Sequence, residues 1–456
     1  NLLTNSGFDV WSNSTLVNPT TGVAPVCDDA GDLFENGDAT EALTTGWGDN
    51  SGAGSAVVIV GGEWDFDGST AYANLSSDGL TIVEGKLYQI GYDVKAAGHA
   101  NDELYIGTAS GGNQVVNLSA PFDTTQVADG LKILWEATAS GTVYVTFRTG
   151  YSTLALDNLM MHEVTPGCVA ADGVAMDSWE KVSGVDCWRE HWNGTGGDSD
   201  TTKAGSFYSL KVTGDASNSL VYWPGGIGGL DEYLTRFQGR TVTFGVWAKC
   251  STADKARLRL WDDSGYNSSY HSGGGGWEWL EVTRTIGGSS AALNFGVEAG
   301  TSTTSYFSQP MLVFGSSIGE GNYTRPQGEW VYTARKHLTG FSGDSFSNAS
   351  NQTINLEATS DGIIPKGAKA IMCRLQARDS DTATGSPYFW LMGHDLNSPQ
   401  LEVDCAFADA AGRDNVYSKA SGIVPCKDDG DINYYAGASG SSTLDVYITV
   451  YAVQLR

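Results

Sequence analysis

Proline is scarce in this chain, 11 residues in 456. Runs of Ala, Leu, Glu and Lys that would build helices are nearly absent. No apolar run approaches the roughly 18 residues of a membrane span, which excludes insertion by a single helix. Bases are few: 26 Lys and Arg stand against 53 Asp and Glu, a net charge of −27. That balance argues against a nucleic-acid backbone or an anionic bilayer as partner and leaves a neutral partner such as a sugar open. Seven cysteines (Cys27, Cys168, Cys187, Cys250, Cys373, Cys405 and Cys426) contain no CxxC and no Cys/His cluster with zinc spacing. They read as buried free thiols made in a reducing cytoplasm, with one or two disulfides as the alternative. The chain does not begin with Met and shows no signal peptide, so it reads as a processed product or an excised piece.

Glycine is abundant, 59 residues. Short alternating apolar segments joined by Gly, Asn, Asp and Ser turns dominate, which predicts an all-β protein. Two linker-like stretches, "EVTPGCVAADG" (163–173) and "FGSSIGEGNYTRPQGE" (314–329), divide the chain. The expected domains are 1–165, 166–325 and 326–456, each the size of one β-sandwich.

The first two pieces read as distant copies of one plan. "KLYQIGYDVKA" matches "RTVTFGVWAKC": Tyr88, Ile90, Tyr92 and Val94 share one face, as do Val242, Phe244, Val246 and Ala248. Further on, Val143, Val145 and Phe147 answer to Leu293, Phe295 and Val297. "LALDNLMMHE" answers to "YFSQPMLVFG", with Gln309 opposite Asp157. In the third piece, Leu444, Val446, Ile448 and Val450 form one face of the closing strand. Tyr447, Tyr451 and Val453 form the other, which predicts either a subunit contact or a buried central strand.

The opening "NLLTNSGFDVW", the alternating middle strands and "LDNLMMHEV" resemble calcium-binding jelly-roll carbohydrate-binding modules, over residues 1–165 and more loosely 173–314. That resemblance implies two tandem jelly-roll β-sandwiches before a third, C-terminal sandwich. It also implies a structural Ca2+ held by Asp9 and Asp157, although the family usually has Glu where Asp9 stands. The alternative for Asp9 is a hydrogen-bond acceptor in its own turn. "NLLTNSGFDVWSNST", "GCVAADGVAMDSW", "FSQPMLVFGSSIGEGNYTRPQGE" and "IPKGAKAI" resemble tail-fibre and other virion surface proteins of tailed bacteriophages. This implies a homo-oligomer, a trimer by analogy, among other virion proteins.

The second piece holds Trp179, Trp188, Trp192, Trp223, Trp247, Trp261, Trp277 and Trp279, more than half of the 14 tryptophans. Trp247 and Trp261 oppose the inward residues of their strands. Trp277, Trp279 and Glu281 alternate against Leu280 and Val282, and Arg257 and Arg259 share a side with Trp261. An outward aromatic face edged by Arg and Glu suits a sugar, whose C–H face stacks on the rings while charged groups take its hydroxyls. The same rings would equally cover a domain or subunit interface. Catalysis finds little support. His99, His162, His191, His271, His337 and His394 are scattered. "GSSIG" (315–319) sits in a linker rather than between strand and helix. The acids of "GGDSDTT" and "CKDDGDIN" read as solvated turns.

The sequence therefore predicts a non-enzymatic virion structural protein, a tail fibre or fibre-like appendage that attaches to glycans on the bacterial surface. The alternatives are a secreted bacterial polysaccharide-binding protein, the non-catalytic portion of a glycoside hydrolase, or a capsid decoration protein.

Overall fold

A computed structural model describes residues 1–119, 122–150, 152–169, 175–182, 184–192, 201–214, 219–224, 234–380, 387–393, 399–405 and 417–456. The chain divides into two units: Leu16–Val164, and Asn1–Thr15 together with Thr165–Arg456. The first is thus an insertion within the second. The expected closed unit over 1–165 does not form, because the opening segment belongs to the other unit.

The insert is a two-sheet antiparallel sandwich. One sheet runs in the order Ala128–Glu136, Leu87–Ala96, Thr153–Cys168, Glu63–Asp67, Ala56–Val60. The other runs Trp47–Asp49, Ala73–Ser77, Gly141–Thr149, Glu103–Gly107, Val116–Asn117. Period-two alternation sends Tyr88, Ile90, Tyr92 and Val94 into one core with Val143, Val145 and Phe147. The insert has its own opening, "DLFENGDAT" (32–40). Leu33 N donates to Met161 O at 2.8 Å and Leu159 N to Gly37 O at 3.0 Å. Asn36 and Ala39 take left-handed φ of 56° and 53°, and the Asn36 side chain closes the loop by accepting from Glu41 N at 2.7 Å.

The larger unit contains two cores. In its first sandwich one sheet runs Trp277–Thr285, Thr241–Cys250, Thr304–Phe314, Tyr208–Thr213, Asp186–His191. The facing sheet runs Glu180–Lys181, Ser219–Pro224, Asn294–Ala299, Ala256–Trp261, Gly265–Asn267. Strand for strand this is the order of the insert. The N-terminal segment completes it: Leu2 N donates to Leu312 O at 2.9 Å, and Leu3, Phe8 and Trp11 lie in this core. Asn5 and Phe8 repeat the left-handed pair at φ 52° and 57°, and Asn5 Oδ1 accepts from Asp9 N and Val10 N at 3.0 and 3.1 Å. The motif "NLLTNSGFD" therefore pairs with "YFSQPMLVFG", and "DLFENGDAT" with "LALDNLMMHE". The left-handed φ of Asn158 (50°) and Gln309 (53°) equates those two residues, so Ser308, not Gln309, is the counterpart of Asp157. The first part of the linker expected at 163–173 is strand instead, because Thr153–Cys168 continues through it and Gly167 and Cys168 pair with Trp188 and Cys187.

In the C-terminal sandwich, one sheet has the order Trp330–Phe346, Leu444–Gln454, Ala370–Asp379, Ser418–Pro425. The other has Ala349–Ile354, Ile432–Gly437, Tyr388–Met392, Leu401–Asp404. A four-residue helix, Leu356–Thr359, is capped by the Asn355 side chain. Leu444, Val446, Ile448 and Val450 are 1 % exposed or less. Val453 is buried too, not on the outer face with Tyr447 and Tyr451 as its parity predicted. The register slips at Met372/Cys373, whose partners are Ala452 and Val450. Tyr451 is thus the extra residue of a bulge, which turns Val453 inward. All seven cysteines are free, six buried and Cys27 half-buried. Among the described residues no helix is long and apolar enough to cross a membrane.

Candidate functional site

The predicted tryptophan set does not converge on one face. Trp247, Trp277 and Trp279 lie on the sheet of Thr241–Cys250 and Trp277–Thr285, with Trp247 directly opposite Trp279. Trp261 lies on Ala256–Trp261, in the facing sheet. Alternation identified each ring as outward, but outward from two sheets that look away from each other. Nor is the first group open. Trp247 is 6 % and Trp277 8 % exposed. The Trp247 ring meets Trp279 edge-on at 5.7 Å and carries Lys203 Nζ 3.7 Å above its centre. Trp279 lies over Gly245, where a Cβ would come within 2.4 Å of the ring.

Glu281 is committed internally. It accepts from Trp279 Nε1 at 2.7 Å, from Ile318 N at 3.2 Å and from Gly319 N at 2.5 Å, so the "GSSIG" linker folds onto it. That stretch begins in a bend and is followed by a turn rather than a helix, and no nucleophile elbow exists there. On the facing sheet, Arg257 and Arg259 reach the buried Glu298 at 2.6 and 3.7 Å, and Arg259 lies 5.4 Å from the Trp261 ring.

The two acids expected to share calcium each have other partners. Asp9 is 3 % exposed and forms a two-pronged pair with Arg325 at 2.5 and 3.2 Å. Asp157 belongs to the insert. It accepts from Asn158 N at 2.7 Å and faces Lys95 at 3.8 Å. Lys95 also bonds Asp93 at 2.9 Å and Asp129 at 2.8 Å, so an ammonium occupies the centre of that acid group. Burial raises the Asp157 carboxyl, with Asp93 and Asp38 adding repulsion against the Lys95 charge. Asp9 and Asp157 together therefore do not fit a calcium ion. Among the described residues one other group, Cys27, Asp28 and Asp32, has ligand atoms within 4.8 Å of one another. Its carboxylates are engaged by the backbone N–H groups of Gly37, Asp38, Phe34 and Met161. His394, Asp198 and Asp200 lie outside the described residues.

One aromatic face escaped the sequence reading. Tyr388 and Trp390 alternate with the buried Phe389 and Leu391 along Tyr388–Met392 and are half-exposed. Their rings stack at 4.4 Å and 29°, and Tyr435 of the neighbouring strand continues the row, 6.3 Å from Trp390. Beside them lies a hollow of about 510 Å3 lined by Asn348, Ser350, Tyr388, Tyr435 and Ser439. Within the described residues the buried Trp390 Nε1 has no acceptor. The alternation in "PYFWLM" was visible in the sequence; what it lacked was the partner Tyr435, supplied by a strand some 45 residues on.

These observations define an all-β protein of three antiparallel two-sheet sandwiches. No family model matches the chain, and no curated protein does. Among solved structures it is similar to the N-terminal CBM22-1–CBM22-2 tandem domain of Paenibacillus barcinonensis Xyn10C, at 14 % identity and TM-score 0.24, over 64 % of this chain and 99 % of that one. It is also similar to the CBM22-1–GH10 modules of Clostridium thermocellum xylanase 10B, at 13 % and 0.23, over 35 % and 30 %. A chain from Sulfolobus Turreted Icosahedral Virus aligns over 93 % of this chain and 94 % of its own, at 9 % and 0.16. Likeness this loose establishes neither fold nor function, and the architecture stands on the strand pairings themselves.

Proposed function

We propose that this chain is a non-catalytic glycan-binding protein of a bacteriophage virion, a tail fibre or other fibre-like appendage, working as a homotrimer. The observation that carries the glycan part is the row Tyr388–Trp390–Tyr435 beside its polar-edged hollow. Flat rings offer a surface for the C–H face of a pyranose, and the hydroxyls and amides around them offer hydrogen bonds. A contact of this size binds weakly, on the order of 1 mM or about 4 kcal/mol, and repetition around an oligomer strengthens it. Seven unpaired thiols favour assembly in a reducing cytoplasm, as virions are assembled, over the secreted alternative.

The test is adsorption of the full chain to host cells and to a panel of neutral oligosaccharides. Trp390→Ala should lose binding with an unchanged circular dichroism spectrum. Retained binding would remove the site. Native mass decides the assembly: a trimer supports the appendage, and a monomer supports a secreted module.

A further inference from the structure

The opposite sheet of the C-terminal sandwich carries a different kind of surface. Arg335 and His337 from Trp330–Phe346, Tyr447 and Thr449 from Leu444–Gln454, and Arg374 and Gln376 from Ala370–Asp379 line a hollow of about 330 Å3 together with Tyr417. In a chain with twice as many acids as bases, no acid lines it among the described residues. The Arg374 guanidinium is steadied by Gln376 Oε1 at 3.1 Å. His337 Nδ1 is held by Thr449 Oγ1 at 3.1 Å, and Arg335 is exposed. Burial and the neighbouring Arg335 and Lys336 charges lower the His337 pKa and favour its neutral form, but neither Arg335 nor Arg374 has an ion-pair partner among the described residues, whereas Arg378 is neutralised by Asp445 at 2.7 Å. Tyr417 and Tyr447 meet edge-on at 5.8 Å and form an aromatic wall. Tyr447 packs on bare backbone at Gly343, whose φ of +116° and missing Cβ admit the ring.

We propose that this hollow is an anion-reading site for a carboxylate-bearing sugar residue, such as a hexuronic acid within an acidic polysaccharide. The argument rests on the glycan-binding reading above but uses a different face. A guanidinium group matches a planar carboxylate with paired N–H bonds, and two of them line this hollow. The tyrosine wall stacks against the sugar ring, and the hollow sits at the low end of ligand-site sizes, enough for a terminal or single internal residue.

The experiment titrates the full-length chain calorimetrically with tri-galacturonate, with a neutral trisaccharide and with inorganic phosphate. Tri-galacturonate should bind the wild type and weaken at least about tenfold in Arg374→Gln, the loss expected for one charged hydrogen-bonding group. It should be indifferent to Trp390→Ala. Neutral-sugar binding, if present, should show the reverse pattern, so either site can fail alone. No binding of tri-galacturonate to the wild type overturns the proposal. So does phosphate binding of equal strength, which would mark a generic anion site. A change in native mass in Arg374→Gln also overturns it, because the face would then be a contact between copies of the chain.

Discussion

Replacing Arg189 by Met tests how the larger unit holds its two sandwiches together. Arg189 sits in Asp186–His191, and its side chain is 2 % exposed, as is that of its partner Glu357. Its guanidinium binds the Glu357 carboxylate, donates to Asp9 O at 3.0 Å and lies 4.1 Å from the Tyr208 ring. The Tyr208 hydroxyl donates to Glu357 at 3.1 Å and accepts from Lys366 N at 2.8 Å. One cation thus joins the N-terminal segment, a strand of the first sandwich and the short helix of the C-terminal one. Arg189→Met keeps much of the apolar stem but strands a buried carboxylate, a loss of about 3–5 kcal/mol. A domain has only about 5–15 kcal/mol in total, so the C-terminal sandwich should unfold well before the rest. Urea titration followed by tryptophan fluorescence and by circular dichroism should then show two separated transitions where the wild type shows them closer. Glu357→Leu in the same chain should restore most of the loss, since removing both charges leaves none unpaired. A single-variant cost below about 1 kcal/mol, or strictly additive double-variant energies, would refute this account.

Three further outcomes are expected. Burial raises the Glu329 carboxyl from 4.5 to about 7, Arg325 opposing and Asp9 adding to the shift. The folded state therefore keeps a proton that the unfolded state has released, so stability falls as pH rises from about 4.5 to 7 and is level above that, by roughly 3 kcal/mol in all; Glu329→Gln should flatten the urea midpoint across this window. Asp9→Ala removes the two-pronged carboxylate partner of the Arg325 guanidinium and should cost about 3 kcal/mol, read from the same midpoints. Thiol titration of the protein unfolded without reductant should find all seven cysteines reactive; fewer would reveal a disulfide, with the cross-strand pair Cys168 and Cys187 the first to check.

Alternation made the inward faces legible, as with Tyr88 to Val94 and Val242 to Ala248, because a strand shows its environment every second residue. The repeat of one plan was legible for the same reason. The insertion was not. "NLLTNSGFDVW" has two closing strands it could pair with, and it pairs with the one farther away in sequence, Thr304–Phe314. Its second occurrence, "DLFENGDAT", shares chiefly the left-handed turn built on Asn5 and Asn36, a backbone property with little residue identity. The tryptophans failed differently. Parity says a ring faces outward from its own strand, but not which sheet that strand joins or which linker covers it. Val453 departs from strict alternation because a single bulge reverses parity beyond it. The basic hollow gathers residues from 335 to 449, and no local pattern announces such a meeting.

The interruption of the larger unit by Leu16–Val164 has a mechanical consequence. Tension applied between Asn1 and Arg456 enters through segments tied to that unit: Leu2 N to Leu312 O at 2.9 Å, and Leu455 N to Glu329 O at 2.9 Å. While those ties hold, the load passes from end to end without running through the insert. The insert is spared until its host ruptures, and only then does its folded chain length join the load path. A stretched molecule should therefore yield first in the host and release the insert as a later, separate step.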